Sequence, residues 1–135
     1  MSVFFDTNVL VYCTDTSDPK RQKQARKLVA QSSKSGDGVI STQVLIELFN
    51  VLTRKQKMPP AAARDLALAY ANWPLIHSDF ALVGSALEKA VTHHLSIFDA
   101  MVVEAALRAE AKTLYSEDMQ HGQRYGSLTV VNPFL

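Results

Sequence analysis

The chain of 135 residues lacks several features that identify common protein classes. Its single cysteine, Cys13, excludes an internal disulfide and a cysteine-based zinc site, and we expect it to be a small core residue in a reducing environment. No apolar run approaches the roughly 20 residues that a membrane span needs. The N-terminus also lacks the basic start and long apolar core of a signal peptide. We therefore expect a cytoplasmic protein that does not associate with a membrane.

Internal repeats, low-complexity segments and linkers are absent as well. Apolar residues make up 47% of the chain and charged residues 20%, which is ordinary for a globular protein. A chain of this length can bury roughly two-thirds of its unfolded surface in one domain. We therefore predict a single domain over residues 1–135.

The formal net charge of +1 conceals an uneven distribution. Residues 20–57 carry nine Lys and Arg side chains against two acids, Asp37 and Glu47, whereas the stretches on either side are net negative. A basic region beside an acidic one suits a polyanionic ligand. The alternative for residues 20–27 is that they form only the solvated face of a surface helix.

The hydrophobic pattern alternates between strands and helices. Strands are predicted at residues 3–5, 38–41, 75–76, 113–115 and 129–131. Helices are predicted at residues 19–35, after residue 41, and at residues 61–72, about 80–94 and 96–112. The apolar face of the last helix comprises Phe98, Met101, Val102, Ala105, Ala106 and Ala109. Repeated strand-then-helix order indicates an α/β fold in which helices cover both faces of a parallel sheet.

Four carboxylates, Asp6, Glu47, Asp99 and Asp118, occur where these elements end or turn a polar edge outward. Asp6 and Asp118 follow predicted strands, and ligands of open α/β sheets bind beyond the carboxyl ends of the strands. Glu47 and Asp99 lie at the borders of the apolar faces of two helices. Two carboxylates about 4 Å apart repel by roughly 4 kcal/mol at an effective dielectric constant of about 20. If the fold brings them together, they must protonate, gain basic partners or bind a cation.

Each acid also has a purely structural explanation. Asp6 could be a turn residue, and Asp99 stands three residues after Ser96 in a spacing typical of a capping box. Glu47 could be a solvated helix residue, and Asp118 a loop acid. These explanations are weaker for the set than for its members, because independent surface acids have no reason to meet at one sheet edge.

The segments around these acids resemble the motifs of PIN-domain nucleases. The matching segments are Phe5-Asp6-Thr7-Asn8-Val9-Leu10, helical Glu47, Ile97-Phe98-Asp99-Ala100 and Ser116-Glu117-Asp118. More narrowly, the chain resembles the VapC-type toxins of bacterial or archaeal toxin–antitoxin pairs. The resemblance extends from Phe5 to about Gly122, and its opening string, followed by Tyr12, is the most specific part.

The resemblance implies a PIN-like three-layer α/β/α fold with a short parallel sheet flanked by helices. It implies that Asp6, Glu47, Asp99 and Asp118 hold Mg²⁺ or Mn²⁺. Asp6 and Asp99 are the most regular ligands in the family, Glu47 often acts through water, and the fourth acid varies, which leaves Glu117 as the alternative to Asp118. Asn8 and Ser116 would orient the carboxylates. The resemblance also implies a homodimer and an antitoxin whose tail occupies the active site.

An all-oxygen anionic site selects a hard cation, and magnesium held by few carboxylates keeps several waters. Such a water can attack a phosphodiester without a covalent intermediate. Together with the resemblance to PIN-domain nucleases, this chemistry implies RNA hydrolysis as the expected function. A row of polar side chains on the second predicted helix supports it, because Gln43, Glu47, Asn50 and Arg54 recur at helical spacing and Arg54 could bind phosphate. The same row could simply face solvent.

Other classes compete with the nuclease. A phosphatase that used Asp6 as its nucleophile would normally have a second acid at position 8, which is Asn. A phospho-receiver domain would have paired acids that this string does not match. The stronger alternative is a catalytically silent PIN-like module that binds RNA or an antitoxin, although such a module gains nothing from the repulsion between four acids.

Overall fold

The computed structural model describes residues 1–135 and contains six strands and six α-helices. The strands are β1 (Val3–Phe5), β2 (Gly38–Ser41), β3 (Leu75–Ile76), β4 (Thr113–Tyr115), β5 (Arg124–Tyr125) and β6 (Leu128–Val131). The helices are α1 (Thr7–Tyr12), α2 (Pro19–Ser35), α3 (Thr42–Arg54), α4 (Pro60–Leu68), α5 (Phe80–His93) and α6 (Ile97–Arg108). A 3-10 turn, Ala69–Asn72, continues α4.

All six strands form one sheet in the order β3-β2-β1-β4-β6-β5. Every neighbouring pair is parallel except β5 and β6, which are antiparallel. The chain leaves β1 in one direction, through β2 and β3, and returns to β4 on the other side of β1. The order of strands therefore reverses between β1 and β4, and ligands of open α/β sheets bind at this kind of reversal. The α/β class and the mainly parallel sheet are confirmed.

Local sequence signals explain most element boundaries. Asp18 and Pro19 begin α2, and Gly36, with a φ of 71°, ends it in the left-handed conformation. The Ser41 hydroxyl accepts a hydrogen bond from the Val44 N–H at the start of α3, and Asp79 caps α5 through the Leu82 N–H. The predicted positions of α2, β2, β3 and β4 are confirmed.

The predicted end of α6 at residue 112 is wrong. The helix ends at Arg108, because Glu110 adopts a φ of 56° and the Ala111 N–H donates to the carbonyl of Ala106. The Glu110 N–H donates to the Leu107 carbonyl, which completes a Schellman motif. Glycine usually occupies the left-handed position of that motif, so a glutamate there gave no signal in the sequence.

The predicted apolar face of α6 also needs correction. Phe98 is 64% exposed, whereas Ala100 and Val103 are buried. Phe98 lies in the first helical turn, at the rim of the sheet, so its ring extends past the core. Two short elements were not predicted: α1, with six residues, and β5, with two.

The core is centred on the sheet. Its fully buried members include Phe4, Phe5, Ile40, Leu114 and Val130, which come from β1, β2, β4 and β6. No single helix is long and apolar enough to cross a membrane. Helices α5 and α6 reach the required length and hydropathy only as a pair, and that pair is bent by 117°.

Candidate active site

The carboxyl ends of β1 and β4 place Asp6 beside Ser116. The two strands are parallel neighbours, and the Asp6 N–H donates to the Tyr115 carbonyl at 2.9 Å. Asp6 is the first residue after β1 and caps α1, where its Oδ1 accepts from the Thr7 N–H at 2.8 Å. Its Oδ2 accepts from the fully buried Ser116 hydroxyl, also at 2.8 Å. Both oxygens of the carboxylate are thus fixed in position.

Asp6 is only 5% exposed, and its environment makes it a weaker acid. Burial raises the pKa of Asp6 from 3.8 to about 6, although the hydrogen bonds from Ser116 and Thr7 oppose the rise. The negative charges of Asp118 and Glu47 raise the pKa further. A buried carboxylate that already senses two other acids is a favourable partner for a cation.

Asn8 fixes the loop that carries Glu117 and Asp118. Its Nδ2 donates to Asp118 Oδ2 at 2.9 Å, and its Oδ1 accepts from the Glu117 N–H at 3.2 Å. The Glu117 side chain is held elsewhere, because Oε1 accepts from the Tyr12 hydroxyl at 2.6 Å and Oε2 from Arg21 Nε at 2.8 Å. Glu117 therefore has a charged partner, whereas Asp118 is left with a neutral one.

Glu47 and Asp99 approach from α3 and α6. Gln43 Nε2 donates to Glu47 Oε1 at 2.6 Å and to the Phe98 carbonyl at 3.3 Å, so one amide joins the two helices. The Ser96 hydroxyl accepts from the Asp99 N–H and caps α6, so the expected capping interaction is present. Burial raises the pKa of Asp99, and the charge of Asp118 raises it further.

All four predicted acids line one pocket of about 380 Å³. Its lining residues are Asp6, Thr7, Asn8, Val11, Tyr12, Asp15, Glu47, Val51, Lys55, Phe98, Asp99, Val102, Glu117 and Asp118. None of the four predicted acids forms a salt bridge; the ion pairs of the chain lie elsewhere. No three of the histidine, cysteine or carboxylate side chains are close enough together to ligate one ion directly.

Of the predicted polar row on α3, only Glu47 lines the pocket, whereas Gln43, Asn50 and Arg54 do not. Arg54 is exposed and does not line the pocket, whereas Lys55 does. Glu47, Val51 and Lys55 follow one another at intervals of four residues, a helical spacing that could have identified Lys55 from the sequence. Thr7 also lines the pocket, and its buried Oγ1 has no hydrogen-bond partner. Nothing in the sequence indicated this unpaired hydroxyl.

Comparison with known proteins yields one family. The family model for the PIN domain matches residues 3–125 of the chain. No match was found among curated proteins.

Solved structures with the same fold include toxins and toxin–antitoxin complexes. VapC20 of Mycobacterium tuberculosis, a sarcin–ricin loop cleaving toxin, has a TM-score of 0.71 at 24% identity, covering 85% of this chain and 88% of that one. A toxin–antitoxin complex from Klebsiella pneumoniae matches at a TM-score of 0.70 and 16% identity, covering 98% of both chains. VapBC2 from Rickettsia felis, bound to a promoter DNA fragment, has a TM-score of 0.67 at 18% identity, covering 96% of this chain and 97% of that one. At these identities the likeness shows the fold.

Proposed function

Because the chain belongs to the PIN domain family, we propose that it is a metal-dependent endoribonuclease that hydrolyses RNA phosphodiester bonds. The observation that carries the proposal is the arrangement of Asp6, Glu47, Asp99 and Asp118 around one pocket without a salt bridge to any of them. A bound cation would relieve their mutual repulsion, and an all-oxygen donor set favours Mg²⁺, with Mn²⁺ as a substitute.

The donor set fits an ion that keeps several of its waters. Asp6 and Asp99 are the proposed direct ligands, and Glu47 and Asp118 would act mainly through water. This division suits the spacing of the acids, because no three of them reach one point directly. Of the two adjacent acids in the loop after β4, we assign the role to Asp118, since Arg21 and Tyr12 already engage the Glu117 carboxylate.

The protein side chains have separate tasks in the proposed reaction. A bound Mg²⁺ would supply an acidified water as nucleophile and neutralise charge on the phosphate. Gln43 occupies Oε1 of Glu47 and leaves Oε2 available to accept a proton from the attacking water. Ser116 and Asn8 hold Asp6 and Asp118 in the required orientation. Lys55 lies in the pocket, where it can bind a phosphate oxygen.

Arg54 remains a proposed phosphate contact beside the pocket. Its replacement by alanine should weaken RNA binding and reduce the dependence of affinity on salt, while metal binding stays intact. Lys55→Ala provides the comparison, because Lys55 lines the pocket and Arg54 does not. An unchanged affinity and salt slope in the Arg54 variant would remove it from the site.

We further propose that the chain is the toxin of a toxin–antitoxin pair. The shared fold with VapC20 and with chains of toxin–antitoxin complexes supports this assignment. The proposal includes a cognate antitoxin that inhibits the enzyme, a homodimer, a cytoplasmic location and one domain over residues 1–135. The alternative is a catalytically silent PIN module that binds RNA or an antitoxin, and the separation of the acids is the observation that favours it.

Cleavage of total RNA with and without Mg²⁺ tests the enzyme directly. We expect cleavage only with the metal, and a loss of more than about 100-fold in Asp6→Asn and in Asp99→Asn, because each change removes a proposed ligand. Asp65→Asn is the matched control, since Asp65 is an exposed acid outside the pocket. Metal-independent cleavage, or full activity in both variants, would contradict the mechanism. Mapping the products would identify the RNA that is cut.

A further inference from the structure

A second cavity, of about 550 Å³, lies beside α2 and is lined largely by basic side chains. Its lining residues are Lys20, Arg21, Lys23, Gln24, Lys27, Pro133, Phe134 and Leu135. No acidic side chain is among them. The cavity therefore has the opposite charge to the acidic pocket, and the proposed catalytic roles do not use it.

Three of the four basic side chains in this cavity have no ion-pair partner. Arg21 is neutralised by Asp18 at 3.0 Å and by Glu117 at 2.8 Å. The exposed side chains of Lys20, Lys23 and Lys27, hereafter the lysine face, form no salt bridge. Their spacing of three and four residues places them on one side of α2, over about 10 Å of helix length. The lysine face is thus free to bind an anion with several charges.

A single wall separates the basic cavity from the acidic pocket. Tyr12 and Glu117 line the acidic pocket, and Arg21 and Phe134 line the basic cavity. The wall is held together by the hydrogen bonds of Glu117 with Tyr12 and Arg21. The Tyr12 and Phe134 rings meet edge to face at 5.0 Å between centroids, and the Arg21 guanidinium lies 5.7 Å from each ring centroid. A long polyanionic ligand that leaves one cavity would therefore cross only one layer of side chains before it enters the other.

We propose that the lysine face binds the backbone phosphates of a single RNA strand whose reacting phosphodiester lies in the acidic pocket. This inference rests on the proposed nuclease function and adds a second contact region to it. A groove that combines several basic side chains with an aromatic side chain is typical of surfaces that bind single-stranded nucleic acid. RNA fits better than an acidic peptide, because it is the polyanion that the neighbouring metal-binding pocket would have to accept.

The experiment measures RNA binding in EDTA, so that cleavage does not contribute. The probe is a fluorescein-labelled single-stranded RNA of mixed sequence, about 12 nucleotides long. Its affinity is measured by anisotropy over a range of salt concentrations for wild type and for the combined variant Lys20→Gln, Lys23→Gln and Lys27→Gln. The control combines Lys34→Gln, Arg64→Gln and Lys112→Gln, which removes the same charge from exposed positions outside both cavities. Thermal unfolding of both variants verifies that they remain folded.

We expect the lysine-face variant to bind RNA roughly tenfold more weakly and its salt slope to fall by about 2, since each phosphate contact in a single strand contributes about 0.7. The control should bind like wild type. Equal weakening in both variants would show a general effect of net charge and overturn the proposal, as would wild-type affinity in the lysine-face variant. Displacement of the RNA by polyglutamate at the same charge concentration would instead assign the surface to an acidic protein partner.

Failure of the nuclease proposal would look different. A protein that binds RNA through the lysine face in EDTA but does not cleave it with Mg²⁺ would retain this inference and lose the proposed reaction. A protein that cleaves RNA normally with the lysine face substituted, and binds it with unchanged affinity, would lose this inference alone.

Discussion

The buried carboxyl of Asp6 affects stability in a way that depends on pH. Its pKa is raised to about 6, chiefly by burial, so its protonated form stabilises the fold. That contribution is complete below the ordinary value of 3.8 and is lost as the pH rises through about 6. Asparagine has nearly the same shape and does not ionise. Without divalent metal, Asp6→Asn should therefore be more stable than wild type at pH 7, on the order of 1–3 kcal/mol, and equal to it near pH 4.

Urea denaturation at both pH values, in EDTA, measures this difference. Asp79→Asn is the matched control with the opposite sign, because the Leu82 N–H and Arg108 lower the pKa of Asp79. Its stabilising contribution is present at neutral pH and is lost as the pH falls. The Asp79 variant should be the less stable protein at pH 7. If Asp6→Asn were also less stable than wild type at pH 7, the buried carboxylate of Asp6 would not destabilise the fold, and the prediction would be wrong.

Asn8 joins α1 to the loop after β4, which carries Glu117 and Asp118. Its side chain contacts Asp118 Oδ2 and the Glu117 N–H, so Asn8→Ala should release the loop that carries both acids. Residues that orient metal ligands typically contribute 10–100-fold to affinity or activity, and we expect a loss of about that size in Mn²⁺ affinity and RNA cleavage. Calorimetric titration and cleavage assays measure the two effects. Asn72→Ala, at an exposed asparagine outside the pocket, should match wild type in both.

Among the elements, those with complete local signals were predictable. Helix α2 has a capping aspartate, a proline in the first turn and a glycine at its end, and its predicted bounds are confirmed. The end of α6 was mispredicted because Glu110 occupies the left-handed position of a Schellman motif, where glycine is the usual residue. Strand β5 was missed because its two residues form a strand only by pairing with β6. Periodicity cannot detect an element that short.

Strand β2 meets the turn after α4 at a position that only glycine can occupy without rearrangement. A Cβ added at Gly38 would lie 2.6–2.8 Å from three ring carbons of Trp73. The Trp73 ring also packs against Phe5 and Tyr70, with centroids 5.4 Å and 5.1 Å away, so it has little freedom to move. Gly38→Ala should therefore destabilise the protein by about 1–3 kcal/mol through overpacking. Urea denaturation, followed by the fluorescence of the single tryptophan, measures it.

Gly84 provides the matched control for that substitution. It lies inside α5, and a Cβ there would meet nothing within 4 Å. Gly84→Ala should stabilise the protein by about 0.5–1 kcal/mol, because alanine loses less backbone entropy in a helix. The two glycine substitutions are thus expected to have opposite signs. Destabilisation of similar size at both positions would show that contact with Trp73 is not the cause.

At the scale of the whole molecule, the sequence predicted which acids share an edge but not how their neighbours arrange them. Asp6 and Asp118 could be placed at the same edge because each follows a predicted strand of a parallel sheet. The different environments of Glu117 and Asp118 could not be predicted, since Arg21 and Tyr12 are 96 and 105 residues away from Glu117 in the sequence. Side-chain contacts over that separation depend on the packing of α1 and α2, which hydrophobic periodicity does not encode.

The four acids come from separate parts of the chain, so an ion held among them should stabilise the entire fold. A ligand present at about 100 times its dissociation constant stabilises the native state by about 2.7 kcal/mol, which for a domain of this size raises the unfolding temperature on the order of 10 °C. We expect Mn²⁺ to produce such a rise in wild type and in Asp65→Asn, and little rise in Asp99→Asn. Scanning calorimetry with Mn²⁺ and with EDTA measures it without any RNA. An equal rise in all three proteins would place the ion outside the pocket, and no rise in wild type would favour the silent module.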